Sequence, residues 1–205
     1  MTSIQSMIMD RINLHNLKAF SSSDFLDLGN YKAVSKALEK LEDEGKTLRA
    51  KRGIYYLRNN NNIFKINEPP DIYEVAKAIA RQYNWNIVPS GNFSLNLVGL
   101  STQVPSKYIF ISSGPYNKYK IDNIELIFKH STSKEVSSLP LNILIAIQAI
   151  KSIGKEKISN HDMDKIISFL SNDEKLMILT NQIKITSWIY EKLRIAIKRA
   201  QKCIQ

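Results

Sequence analysis

NYKAVSKALEKLEDEG, residues 30–45, decides how the first third of this chain folds. Val34, Ala37, Leu38 and Leu41 recur at i, i+3, i+4 and i+7, the spacing of one buried helix face. Asn30 suits the N-cap and Gly45 the C-terminal stop, so a helix is expected from Tyr31 to about Glu44. With the apolar face inward, Lys32, Ser35, Lys36 and Glu39 must point out. The exposed N-terminal half is then basic and hydroxylic, while Glu39, Glu42, Asp43 and Glu44 crowd the C-terminal half. A helix macrodipole favours the reverse order by about 0.3–1 kcal/mol per surface charge. Seating the N-terminal half in a DNA major groove accounts for the inversion, with lysine on phosphate or guanine and the acids held away. An ordinary solvated helix, or a protein-docking module, is the plainer alternative.

Upstream, Ile4, Met7, Ile8 and Ile12 mark one face of a helix ending near His15. Ser23 and Asp24 are placed to cap a short second helix, DFLDL, closed by Gly29. Downstream, TLRAKRGIYYL (47–57) reads as a β-hairpin turning at Lys51-Arg52-Gly53. Three helices followed by a hairpin define a winged helix-turn-helix. Tyr31, Lys32, Ser35 and Lys36 would then face DNA. Arg49, Lys51 and Arg52 on the wing would reach a neighbouring phosphate or minor groove.

The whole chain supports a polyanion partner. Its 205 residues carry 29 basic and 19 acidic side chains, a net charge of +10, with pI about 9.6. The excess is +4 over residues 1–66, +1 over 67–150 and +5 over 151–205. Such a balance favours nucleic acid, although a lysine-rich solvated surface gives the same count. Mean hydropathy is −0.24, and the apolar run PLNILIAIQAI (140–150) is short and broken by Asn142 and Gln148, which argues against a membrane span. The first residues lack a signal-like basic and apolar pattern. One cysteine, Cys203, makes no internal disulfide, so a cytoplasmic location is expected.

Asn59–Asn62 and the prolines of EPPD (68–71) suggest a boundary. Residues 1–66 form one expected domain and 71–205 a larger α/β domain with a small sheet and a helical tail, giving an α+β chain overall. In the second, 71–85 is an amphipathic helix with Ile72, Val75, Ala76 and Ile79 inward. NIVP (86–89) and KYIFISS (107–113) are strands, and a helix can start at Ser90. YKIDNIELIF (119–128) turns on Asp122-Asn123. Pro140 opens a helix, apolar nearly all round, that closes at Gly154. Ser159–Asp162 and Ser171–Glu174 both fit the capping box. The last helix, about 184–201, buries Ile185, Trp188, Ile189 and Leu193 and lines up Arg194, Lys198 and Lys202 as a second basic stripe, or simply a solvated face.

Catalytic chemistry finds little support. His15, His130 and His161 lack metal-ligand neighbours, and neither a Walker loop nor G-x-S-x-G occurs. Asp122, Glu125 and Lys129 could suggest a metal-dependent nuclease. Yet Asp122 is a turn residue, and Glu125 and Lys129 sit about 13 Å apart along a strand. Cys203 beside Lys202 is at most a reactive thiol. No enzyme, cofactor or metal site is expected.

Two stretches are similar to a known family. SSSDFLDLGNYKAVSKALEKLEDEGKTLRAKRGIYYL (21–57) resembles the winged helix of AbiEi-type antitoxins of type IV, abortive-infection toxin–antitoxin systems. AIARQYNWNIVPSGNFSLNLVGLSTQVPSKYIFISSGP (78–115) resembles the start of their second domain, and its run from A-I-A-R through P-S-G to S-T-Q-V-P is more distinctive than the wing. The resemblance spans roughly residues 5–155 and, more loosely, ITSWIYEKL (185–193). It implies autorepression by binding double-stranded DNA at the operon's own promoter. It also implies neutralisation of a nucleotidyltransferase-like toxin, without a need for direct contact. Lysine at positions 32 and 36, where many relatives carry arginine, implies phosphate contact there rather than paired hydrogen bonds to guanine. The competing expectation is a winged-helix regulator unrelated to a toxin, whose C-terminal domain senses a ligand or dimerises.

Overall fold

The computed structural model describes residues 3–58, 69–132, 136, 138–180 and 183–202. The chain forms two compact units, Met1–Trp85 and Asn86–Gln205. Each mixes helix with a small sheet, so the chain is α+β.

The first unit runs α1 (Ile4–Leu14), β1 (Ala19–Ser21), a 3₁₀ turn (Ser22–Phe25), α2 (Tyr31–Asp43), β2 (Thr47–Lys51), β3 (Ile54–Leu57) and α3 (Ile72–Tyr83). Its three strands are antiparallel in the order β1-β3-β2. Ile8, Ile12, Phe20, Phe25, Val34, Leu38, Leu41 and Tyr55 close one core. The apolar periodicity of α1 and α2 therefore has the meaning expected of it.

One local expectation needs correction, and one strand has no forecast. DFLDL does not form an α-helix. Ser21 and Asp24 form a capping box around a single 3₁₀ turn, with the Ser21 amide donating to Asp24 Oδ2 at 2.9 Å. Phe25 is driven into the core, and Asp27 is drawn onto the Arg11 guanidinium by two bonds of 2.5 and 2.6 Å. The chain there is shaped by side-chain anchors, not by helical hydrogen bonding. β1 is the second surprise: three residues, all buried, add an edge to the hairpin by pairing with β3.

The boundary also moves. The polar run at 59–62 lies outside the described residues, and α3, expected at the head of the second domain, belongs to the first unit. Its apolar face, Ile72, Val75, Ala76 and Ile79, is buried as the spacing predicts. Arg81 then ties it down, donating to Asp24 Oδ1 and to the Ala19 carbonyl, both at 2.8 Å.

In the second unit, β4 (Ile87–Ser90), β5 (Lys107–Ser112), β6 (Asn117–Ile121) and β7 (Ile124–His130) make one sheet in the order β4-β5-β7-β6. Only β5 and β7 are parallel. Asp122-Asn123 is the two-residue turn of the β6–β7 hairpin, with Asp122 at φ +50°. The helix expected from Ser90 starts two residues later, as α4 (Asn92–Leu97), because Ser90 still pairs in β4. Helix α5 (Leu141–Ile153) is buried from Ile143 to Ile150 and forms the centre of this unit. Both capping boxes are made, at the starts of α6 (Asn160–Phe169) and α7 (Asn172–Leu179). The last helix, α8 (Ser187–Lys202), begins three residues later than expected and leaves Ile185 before it, half-buried. Among the described residues no helix is long and apolar enough to cross a membrane.

Candidate nucleic-acid interface

Helix α2 begins where Asn30 Oδ1 accepts the Ala33 amide at 2.9 Å. Val34, Ala37, Leu38 and Leu41 are buried beneath it. That seating fixes the opposite face. Tyr31 is 67% exposed, and Lys32 and Lys36 are exposed beside it. Among the described residues neither lysine meets an acidic partner.

Ser35 differs from its expected place. It is half-buried, and its hydroxyl lies 3.2 Å from that of the buried Ser22. It joins α2 to the 3₁₀ turn and leaves little hydroxyl surface for a ligand.

The acidic end of α2 is occupied by the protein itself. Arg49 donates to Glu42 Oε2 from Nε at 3.0 Å and from Nη2 at 2.6 Å. Its guanidinium also lies 5.3 Å from the Tyr55 ring centre. The Glu42 carboxylate holds Arg49 still more firmly protonated than usual. Glu44 takes Lys46 at 2.7 Å and a bond from Gln5 at 3.3 Å, which together hold its carboxyl below the usual range. Part of the inverted charge pattern of α2 thus has a structural origin: these acids anchor the hairpin and α1. The lysines at the other end have no such employment.

The hairpin sorts its cations the same way. Arg49 is exposed but paired with Glu42. The register slips between Arg49 and Lys51, a bulge that redirects the following side chains. Lys51 is half-buried, its ammonium donating to the Arg52 carbonyl at 3.3 Å, and burial pulls its pKa down. It is therefore not the exposed contact expected. Arg52 stands exposed at the tip, where Gly53 supplies a φ of +81°, and among the described residues it meets no acidic partner. Of the expected set, Tyr31, Lys32, Lys36 and Arg52 are exposed and without an acidic partner among the described residues.

Within the second unit, Arg194 and Lys198 are exposed on α8, four residues apart. The Lys202 side chain and Cys203 lie outside the described residues. Arg199, not singled out from sequence, bonds Asp164 and the Asn160 carbonyl instead. Neither Arg49–Glu42 nor Ser22–Ser35 had a sequence signal, since each joins residues on different elements.

The carboxylates weighed for phosphodiester chemistry are otherwise engaged. Glu125 sits between Lys118 at 2.5 Å and Lys107 at 3.3 Å, and the Lys118 bond holds its carboxyl below the usual range. Asp122 is the positive-φ turn residue. Among the described residues no three His, Cys, Asp or Glu side chains are grouped to hold a metal ion.

A family model described as a family of unknown function, DUF6088, matches residues 8–178. No curated protein matches the chain.

Proposed function

The chain belongs to the DUF6088 family, and we propose that it is a non-enzymatic, double-stranded-DNA-binding repressor of its own promoter that serves as a type IV antitoxin. The observation that carries the DNA-binding half is the exposed N-terminal face of α2. Tyr31, Lys32 and Lys36 project there without acidic partners, and Arg52 caps a hairpin in the same unit. The order helix, strand, turn, helix, hairpin, with β1 paired to the hairpin, supports a winged helix-turn-helix in which a single 3₁₀ turn replaces the second helix. In that arrangement α2 enters the major groove by its N-terminal end and Arg52 reaches the flanking backbone or minor groove. The helix dipole and the lysines then act with the same sign on phosphate. Arg49 and Ser35 hold the surface in shape.

The antitoxin half rests on the likeness of residues 21–57 and 78–115 to AbiEi-type antitoxins. Its partner would be a cognate nucleotidyltransferase-like toxin, neutralised with or without direct contact, in the cytoplasm. Two measurements separate the halves. Fluorescence anisotropy on the DNA upstream of the gene should show binding at least about 10³-fold tighter than to unrelated duplex at physiological salt. Co-expression with a nucleotidyltransferase-like toxin from a type IV system should relieve the growth arrest that the toxin causes alone. Promoter binding without rescue would leave a repressor that is no antitoxin. Equal affinity for any duplex would remove the operator-specific repressor.

A further inference from the structure

Gln148 is out of character with its surroundings. It is one of two polar residues in the apolar run of α5, and it is only 5% exposed. Its Oε1 accepts the Ser90 hydroxyl at 3.0 Å. Among the described residues its amide nitrogen meets no acceptor, yet it is not one of the fully buried unpaired side-chain atoms, so it stays accessible to a group beside it. Gln148 lies on the wall of a cavity within the second unit, between α5 and the segment leading into α8. Leu139, Leu144, Ile147 and Ile185 supply apolar walls. Lys151, Lys184 and Thr186 supply the polar ones, and Thr186 immediately precedes α8, whose first amides carry partial positive charge.

Among the described residues the polar lining is therefore amide, hydroxyl and ammonium groups, with no acidic side chain, against an aliphatic remainder. Concave sites of this make-up take ligands with an apolar body and one complementary polar head. We propose that this cavity binds a small aliphatic carboxylate, with the Gln148 amide and the Thr186 hydroxyl donating to the carboxylate, Lys184 balancing its charge, and the chain against Leu144, Ile147 and Ile185. A neutral or cationic head of the same length leaves the lysine unmatched and the amide poorly satisfied. The site is independent of the DNA-binding face, so either can fail alone.

The test is titration of the isotopically labelled full chain with sodium hexanoate, followed by NMR of the Gln148 side-chain amide and the Ile185 methyls, with 1-hexanol and hexylammonium as matched controls. Saturable shifts of both groups by hexanoate, and at least about tenfold weaker binding of either control, are expected. Gln148→Leu should weaken hexanoate binding about tenfold, and Lys184→Gln, a surface change that leaves the core intact, severalfold. The proposal is overturned if hexanoate gives no saturable shift, if hexanol binds equally well, or if folded Lys184→Gln binds hexanoate as the parent does.

Discussion

Two β-hairpins of this chain are rich in basic residues, and they dispose of them differently. In β6–β7 the tip is Asp122-Asn123, and Lys118, with Lys107 from β5, closes on Glu125 at 2.5 and 3.3 Å. In β2–β3 the acid lies on another element. Glu42 of α2 takes Arg49, Lys51 is half-buried, and the tip is Arg52, exposed and without an acidic partner among the described residues. Net charge separates the two, +3 over residues 47–57 against +1 over 117–130, and so does the place of the acids: the second hairpin carries two of its own, and the first borrows Glu42 from α2. A cation bound to its own carboxylate must break that bond before it meets a phosphate, and a cation in water need only release its counterions. By that measure the tip of the first hairpin and the start of α2 offer the unanswered cations that the proposed DNA face needs, while the second hairpin answers Lys118 internally and leaves Lys120 and Lys129 exposed beside its own two carboxylates.

The largest effect should come from unseating the helix that displays this surface. Leu38→Ala, at a fully buried position, is expected to cost about 2–5 kcal/mol in urea unfolding. DNA binding should fall with it. If promoter affinity survives at a temperature where α2 is melted, the helix is not the reading element and the contrast between hairpins loses its basis.

Next in size is a control within the second unit. The Ser159 amide and hydroxyl bond the Asp162 carboxyl, which holds it below its ordinary pKa. Ser159→Ala should cost about 1 kcal/mol with no change in DNA affinity. Because the folded pKa is depressed, the stabilisation is complete above the unfolded value near 3.9 and is lost as pH falls through the lower folded one. The difference in stability between Ser159→Ala and the parent should therefore shrink only in acid, as thermal melts between pH 6 and pH 2 would record. A difference that stays constant over that range would mean the bond from the hydroxyl to the carboxylate contributes nothing, the backbone amide bond being kept in the variant.

Smallest, and most discriminating, are the committed cations. Arg49→Ala should cost about 0.2–1 kcal/mol of stability, the range of exposed ion pairs, and leave the salt dependence of DNA binding where it was. Lys118→Ala should change neither appreciably. A drop in the salt slope for either would show that pairing in the free protein does not exclude a cation from the interface.

Much of this organisation can be read from the amino-acid sequence wherever cause and effect lie within a few residues. The span of α2 follows from Asn30, Gly45 and four apolar positions, and the β6–β7 turn from Asp122-Asn123. Both capping boxes are likewise local. The failures share the opposite property. DFLDL carries helical spacing, yet Phe25 burial and the Arg11–Asp27 and Arg81–Asp24 pairs, across 16 and 57 residues, select a 3₁₀ turn. α3 follows two prolines and looks like the opening of a new domain, but its apolar face is completed by the first unit. At the candidate interface, spacing identifies which residues leave the core. It does not identify which of them another element has claimed, and so Tyr31, Lys32, Lys36 and Arg52 are exposed and without an acidic partner among the described residues, while Arg49 is exposed but bound to Glu42 and Ser35 and Lys51 are half-buried.

The most direct test is the salt dependence of promoter binding for the double variant Lys36→Ala/Arg52→Ala beside the parent. If both side chains answer phosphates, the slope of log K against log salt should fall by about two, with circular dichroism and melting temperature unchanged. A folded double variant that binds its promoter with the parent's slope and affinity would contradict the assignment of this face to DNA.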